Sequence, residues 1–110
     1  MRIIKPSKVI FVDEKLEKEF LNLEENNEIK KFIQRAINDI KQNAFCSIPI
    51  PKRLIPKEYT SKYQIKNLWK YDLPDGWRLL YSITTPNKIE IISIIIEFLN
   101  HKDYEKRFKY

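Results

Sequence analysis

The spacing of hydrophobic residues changes along the chain, from a helical period in the first half to strand alternation in the second. A short apolar stretch at residues 8–12 precedes Asp13, a favourable helix N-cap residue. Hydrophobic residues then recur every third or fourth position, at Leu16, Phe20, Leu23, Ile29, Phe32, Ile33, Ala36, Ile37 and Ile40. This spacing predicts a first strand at residues 8–12 and two amphipathic helices within residues 14–43.

Neither period continues through the middle of the chain. Residues 46–61 include Pro49, Pro51 and Pro56. Proline fixes one backbone torsion and removes a hydrogen-bond donor, so it disfavours helix interiors and central strands. We therefore predict an extended connection in this region.

Apolar and polar residues alternate in the second half of the chain. Residues 63–72 and 77–84 show this alternation, and Asp75 and Gly76 between them predict a tight hairpin turn. A further strand is predicted at residues 88–98, and the apolar run within it, interrupted only by Ser93, predicts that this strand lies inside the sheet. A short helix or ordered tail follows Asn100.

These elements predict an α+β fold in a single domain that comprises residues 1–110. We expect a four-stranded, mainly antiparallel sheet with the two N-terminal helices on one face and a short C-terminal helix or tail. The length of 110 residues and a hydrophobic content of 43% are sufficient for a core that folds alone.

Composition narrows the environment and the chemistry. Cys46 is the only cysteine, so no internal disulfide can form, and no apolar run approaches the length that spans a bilayer. We expect a cytoplasmic protein without a membrane association. No cluster of His, Cys or paired carboxylates has the spacing of metal ligands, and a single glycine cannot form a glycine-rich phosphate loop. We therefore expect neither a metal nor another cofactor.

The net charge of +6 is concentrated in one stretch of the chain. Between residues 51 and 71, Glu58 is the only acid, and the bases are Lys52, Arg53, Lys57, Lys62, Lys66 and Lys70. Such a stretch is typical of a surface that attracts phosphates, and it is equally typical of an ordinary solvated loop in a basic protein. Charge alone does not choose between these two interpretations.

Two segments of the sequence resemble the RelE/ParE superfamily of small bacterial and archaeal toxins. They are "YQIKNLWKYDLPDGWRLLYSI" at residues 63–83 and "IISIIIEFLNHKDYEKRF" at residues 91–108. The resemblance implies a RelE-like fold and a cognate antitoxin that wraps the toxin. Its RelE branch implies ribosome-dependent mRNA cleavage that inhibits translation, and its ParE branch implies inhibition of gyrase.

The resemblance also implies roles for individual residues. Arg78 occupies the position of the arginine that holds the scissile phosphate in RelE-type nucleases, and His101 or Tyr104 would replace the catalytic tyrosine of the tail. The predicted catalytic residues are therefore Arg78, His101 and Tyr104. The predicted RNA-binding residues are Lys62, Lys66, Lys70, Lys102 and Arg107.

The chemistry of RNA cleavage by the 2′-hydroxyl sets the requirements for these residues. A base must take the hydroxyl proton, a cation must stabilise the phosphorane, and an acid must protonate the leaving oxygen. The guanidinium of Arg78 matches two phosphate oxygens, and Lys66 or Lys70 could assist from the same polar face of the hairpin. Alternatively, Arg78 forms a cross-strand salt bridge with Asp72 or Asp75, and the protein is a noncatalytic or ParE-like binding protein.

We expect an acidic antitoxin segment to bind the basic hairpin face and to neutralise its lysines, Lys62, Lys66 and Lys70. Its affinity should fall with salt, because charge would steer the contact. The expected partners are thus the antitoxin, the ribosome and mRNA.

Overall fold

The computed structural model describes residues 5–108. Its strands are β1 (Lys8–Phe11), β2 (Ile48–Pro49), β3 (Trp69–Asp72), β4 (Arg78–Thr84) and β5 (Ile92–Leu99). Its helices are α1 (Glu14–Leu21), α2 (Glu28–Gln42), α3 (Lys57–Tyr63) and α4 (His101–Phe108), and single 3-10 turns lie at Lys52–Leu54 and Pro74–Gly76. The α+β class is confirmed.

The sheet has five strands in the order β1-β5-β4-β3-β2. β1 pairs with β5 in parallel, and the other three pairs are antiparallel. The prediction of four strands in a mainly antiparallel sheet is therefore corrected to a five-stranded mixed sheet. The interior position of β5 is confirmed, because β1 covers one edge of this apolar strand and β4 covers the other.

The two N-terminal helices pack on one face of the sheet, as predicted. Each begins at a side chain that accepts a backbone N–H: Asp13 accepts from Leu16 at 2.9 Å, and Asn27 accepts from Ile29 at 2.8 Å. Their apolar stripes meet the sheet in a core that includes Ile33, Ala36, Ile40, Leu79, Tyr81 and Ile95, all fully buried.

The opposite face of the sheet is also covered, which the sequence pattern did not predict. Helices α3 and α4 and the chain before α3 enclose a second core, formed by Ile55, Tyr59, Leu68, Leu80, Ile96, Leu99 and Tyr104. A register shift between Leu80 and Tyr81 leaves Ile96 without a partner in β4. This β-bulge places both Ile96 and Glu97 against the residues of the second core.

The predicted strand at residues 63–72 begins only at Trp69. Residues up to Tyr63 belong to α3, and Gln64 ends this helix in the left-handed conformation, with φ 55°. Pro56 immediately precedes α3. A backbone N–H at this position would have no partner inside the helix, so proline costs no hydrogen bond there. Tyr59, one turn further on, anchors the helix with 2% of its surface exposed. The expectation of an extended connection over residues 46–61 is therefore wrong for residues 57–61, which belong to α3.

None of the helices within residues 5–108 is long and apolar enough to cross a bilayer.

Candidate functional site

The hairpin between β3 and β4 turns at Asp75 and Gly76, as predicted. Both residues have positive φ, 61° and 80°. A side chain at Gly76 would also collide with the first residue of α4, because an added Cβ would lie 2.7 Å from the Cβ of His101. The single glycine therefore satisfies two demands: it allows the turn, and it lets the start of α4 pack directly against it.

Arg78 is the first residue of β4 and lies opposite Asp72 of β3. Its Nε is 2.9 Å from Oδ1 of Asp72, and its Nη1 donates to the carbonyl of Trp77 at 3.2 Å. Although the Asp72 carboxylate is close, the buried Nε makes no hydrogen bond of acceptable geometry. We conclude that charge attraction, rather than a directed hydrogen bond, holds this pair. It is a single contact and not a bidentate one.

Lys70, two residues before Asp72 in β3, forms an ion pair with the same carboxylate. Its Nζ lies 3.8 Å from Oδ1 of Asp72. Both cations also lie over the ring of Tyr104, with Arg78 Cζ 5.1 Å and Lys70 Nζ 5.8 Å from its centroid. These distances are typical of cation–π contacts. Lys70, Asp72, Arg78 and Tyr104 are named the Arg78 cluster below.

The two predicted tail residues have different environments. Tyr104 belongs to the second core and is 3% exposed, so its ring supports the two cations from below. His101 lies one turn earlier on α4, and its side chain is 59% exposed and paired with Glu105. His101 is therefore accessible at the surface beside the hairpin turn, whereas Tyr104 is a packed residue.

The other predicted RNA-binding residues do not join the Arg78 cluster. Lys66 was expected on the polar face of the hairpin, but it is exposed in the loop before Trp69, because the strand starts later than predicted. Lys62 is exposed on α3, with its Nζ 5.1 Å from the ring centroid of Tyr63. Lys102 is exposed on α4.

Arg107 takes part in a network that fastens α4 to α3 and β5. Its Nη1 lies 3.2 Å from Glu58 and 3.4 Å from Glu97, and its guanidinium lies 5.4 Å from the ring centroid of Tyr59. The hydroxyl of Tyr59 donates to Glu97, and burial followed by this bond raises the pKa of Tyr59. Sequence reasoning missed this network. One signal in the sequence is the i, i+4 spacing of Tyr59 and Tyr63, which places both rings on one face of a helix and so predicts α3, the helix that carries Glu58 and Tyr59.

A cleft of about 420 Å³ adjoins the Arg78 cluster at the edge of β3. Lys70 and Asp72 form one wall, and the remaining lining residues are Asp39, Gln42, Asn43, Cys46, Ser47, Ile48 and Tyr71. Cys46 is exposed, but partial desolvation of its thiol, followed by the nearby charge of Asp39, raises its pKa, so the thiol is a poor nucleophile at neutral pH. Within residues 5–108, no group of three or more His, Cys, Asp or Glu side chains could hold a metal ion.

Comparison of this chain with protein-family models, with curated proteins and with solved structures finds no match.

Proposed function

We propose that the protein is a RelE-like toxin of a toxin–antitoxin pair that inhibits translation by ribosome-dependent cleavage of mRNA. One observation carries the proposal: two cations, Arg78 and Lys70, converge over one aromatic ring at the end of the sheet. Such a site presents positive charge to one small anion, and an RNA phosphate is an anion of that size. The expected partners are the ribosome, mRNA and an antitoxin that neutralises the same surface.

Each chemical role has a candidate in or beside the cluster. Arg78 would stabilise the negative charge of the phosphorane, and Lys70 would add a second cation. His101 is exposed beside the hairpin turn, and an imidazole can both accept and donate a proton, so it would serve as the base and the acid. Tyr104 would act by positioning the cations, because its burial keeps the ring away from solvent.

The second candidate is a protein of the same fold that binds its target without cleaving RNA. Two observations favour it. Asp72 already engages Arg78, and Tyr104 is too buried to donate a proton to an RNA that approaches from solvent. This candidate needs the positive surface but no acid and no base.

Arg78→Ala tests the proposal, with Arg35→Ala as the matched control, since Arg35 is exposed on α2. The assay is a reconstituted translation reaction, in which protein synthesis and new mRNA ends on the ribosome are measured together. We expect the wild type to block synthesis and to generate new ends, and Arg78→Ala to lose both effects. The substitution should change the free energy of unfolding by only about 1 kcal/mol, because a partly exposed ion pair contributes little.

The other outcomes are equally informative. Blocked synthesis without new mRNA ends would favour the noncleaving candidate. If the wild type has no effect on translation, the proposed activity is wrong. If activity and melting temperature fall together in Arg78→Ala, then Arg78 has a structural role.

A further inference from the structure

Asp72 is the most exposed charged member of the Arg78 cluster. Its side chain is 48% exposed, whereas those of Arg78 and Lys70 are 18% and 23% exposed. One oxygen, Oδ1, lies within ion-pair distance of both cations. The carboxylate therefore occupies the solvent side of the pair, where an anion from solution would have to arrive.

The charges of the cluster do not cancel. Lys70 and Arg78 supply two positive charges and Asp72 supplies one negative charge. Within residues 5–108, neither cation has an ion pair with any other acid. The Nε–H of Arg78 is also left without a hydrogen-bond acceptor of good geometry. A buried donor without an acceptor is unfavourable, so the cluster lacks both negative charge and an acceptor oxygen.

A phosphate group would meet both needs better than one carboxylate oxygen. It offers several acceptor oxygens, and guanidinium groups bind two of them at once. Lys70 and Asp72 line the cleft of about 420 Å³ at the edge of β3, so an anion in the cleft can reach both of these residues. Arg78 does not line the cleft, and an anion reaches it at the place that Asp72 occupies. Asp72 is the last residue of β3, so its side chain can turn away without breaking the strand.

We propose that the carboxylate of Asp72 occupies the place of a phosphate group in the free protein. It therefore competes with an RNA phosphodiester for Arg78 and Lys70. The identity of the ligand as RNA depends on the proposed function; the competition at the anion site does not. Asp72 then sets how tightly the protein binds phosphates and prevents tight binding to phosphates in general. The opposite role is that Asp72 holds Arg78 in position for the phosphate, and the two roles predict effects of opposite sign.

Asp72→Asn separates these roles, because it removes the charge and keeps the shape of the side chain. Asp75→Asn is the matched control. Asp75 lies three residues away and is exposed, and its carboxylate forms no ion pair in the part of the chain that the structure describes. Both variants change the net charge equally, and asparagine tolerates the positive φ of residue 75.

The measurement is the dissociation constant of a short, fluorescently labelled single-stranded RNA, obtained from its anisotropy. A second titration uses inorganic phosphate and follows the side-chain Nε–H signal of Arg78 by NMR. We expect Asp72→Asn to bind both probes roughly two- to fivefold more tightly than Asp75→Asn, which is the range for loss of one exposed ion pair. Adding Arg78→Ala to Asp72→Asn should abolish the gain.

Three outcomes would overturn the proposal: weaker binding by Asp72→Asn, equal binding by the two variants, or no binding of either probe by any variant. The translation assay is a separate measurement. If Asp72→Asn binds both probes more tightly and no variant inhibits translation, the competition stands and the proposed function fails. If the wild type cleaves mRNA while the two variants bind the probes equally, the proposed function stands and the competition fails.

Discussion

Replacement of Gly76 by alanine should destabilise the fold through two separable effects. The φ of 80° places residue 76 in a region that costs an L-residue about 1 kcal/mol or more. The new Cβ would also lie 2.7 Å from the Cβ of His101, about 1 Å closer than ordinary contact between carbon atoms. Because the Cβ of His101 is fixed to the backbone of α4, the helix itself must shift, and overpacking of this kind costs about 1–3 kcal/mol.

The total expected loss is about 2–4 kcal/mol, slightly reduced because alanine has fewer unfolded conformations than glycine. For a chain of this size the melting temperature should fall by roughly 8–16 °C. Thermal unfolding followed by circular dichroism measures the shift, and urea unfolding gives the free energy directly.

Asp75→Ala is the control for the conformational effect. Residue 75 also has a positive φ of 61°, and the substitution adds no atom, so it lacks the collision with α4. We expect this variant to lose about 1 kcal/mol or less. An equal loss in Gly76→Ala and Asp75→Ala would refute the close packing of α4 against the turn, and with it the explanation of why the only glycine is at this position.

Two further substitutions test the packing around the site. Arg107→Ala should lower the free energy of unfolding by about 1 kcal/mol, because Glu97 loses its cation. The control Lys102→Ala, on the same helix, should change it by less than about 0.5 kcal/mol. Equal effects of the two substitutions in urea unfolding would contradict the proposed role of Arg107 in fastening α4. Burial, and then a hydrogen bond to Asp39, raises the pKa of Tyr71 to about 12. Since the folded state favours the neutral phenol, this contribution to stability is complete below about pH 10 and is lost as the pH rises towards 12. Tyr71→Phe should therefore lose less stability than the wild type as the pH rises from 10 to 12, and parallel pH profiles would show that Tyr71 does not titrate in this way.

The elements with strong hydrophobic patterns were predictable from the sequence. Helices α1 and α2 follow from their apolar stripes and caps, and the interior position of β5 follows from a run that is apolar on both faces. Tertiary contacts determine the remaining elements. The two-residue strand β2 ends at a proline, and helix α3 is short and is stabilised by burial of Tyr59 in the second core. The parallel pairing of β1 with β5 joins residues more than eighty positions apart, and no local pattern encodes it.

The site was predictable where it depends on local geometry. Arg78 follows a tight turn, and the cross-strand partner Asp72 was one of two acids that the hairpin could offer. The contact of Lys70 with the same carboxylate also follows from alternation along β3. The contribution of Tyr104 could not be derived in this way, because it depends on how α4 folds back over the sheet. Lys66 lies outside the Arg78 cluster because β3 starts at Trp69, later than the alternation predicted.

Stability and charge are carried by different residues of the Arg78 cluster, and this difference decides which substitutions are informative about function. Tyr104 is a core residue, so its replacement would disturb α4 and the two cations together. Gly76 positions the same helix, so its replacement would move Tyr104 as well. Asp72 is exposed at the end of its strand, and its removal changes the charge at Arg78 and Lys70 while both cores stay packed. A change in binding caused by substitution of Asp72 can therefore be assigned to electrostatics. A change caused by substitution of Tyr104 or Gly76 would combine the effect on charge with the effect on folding.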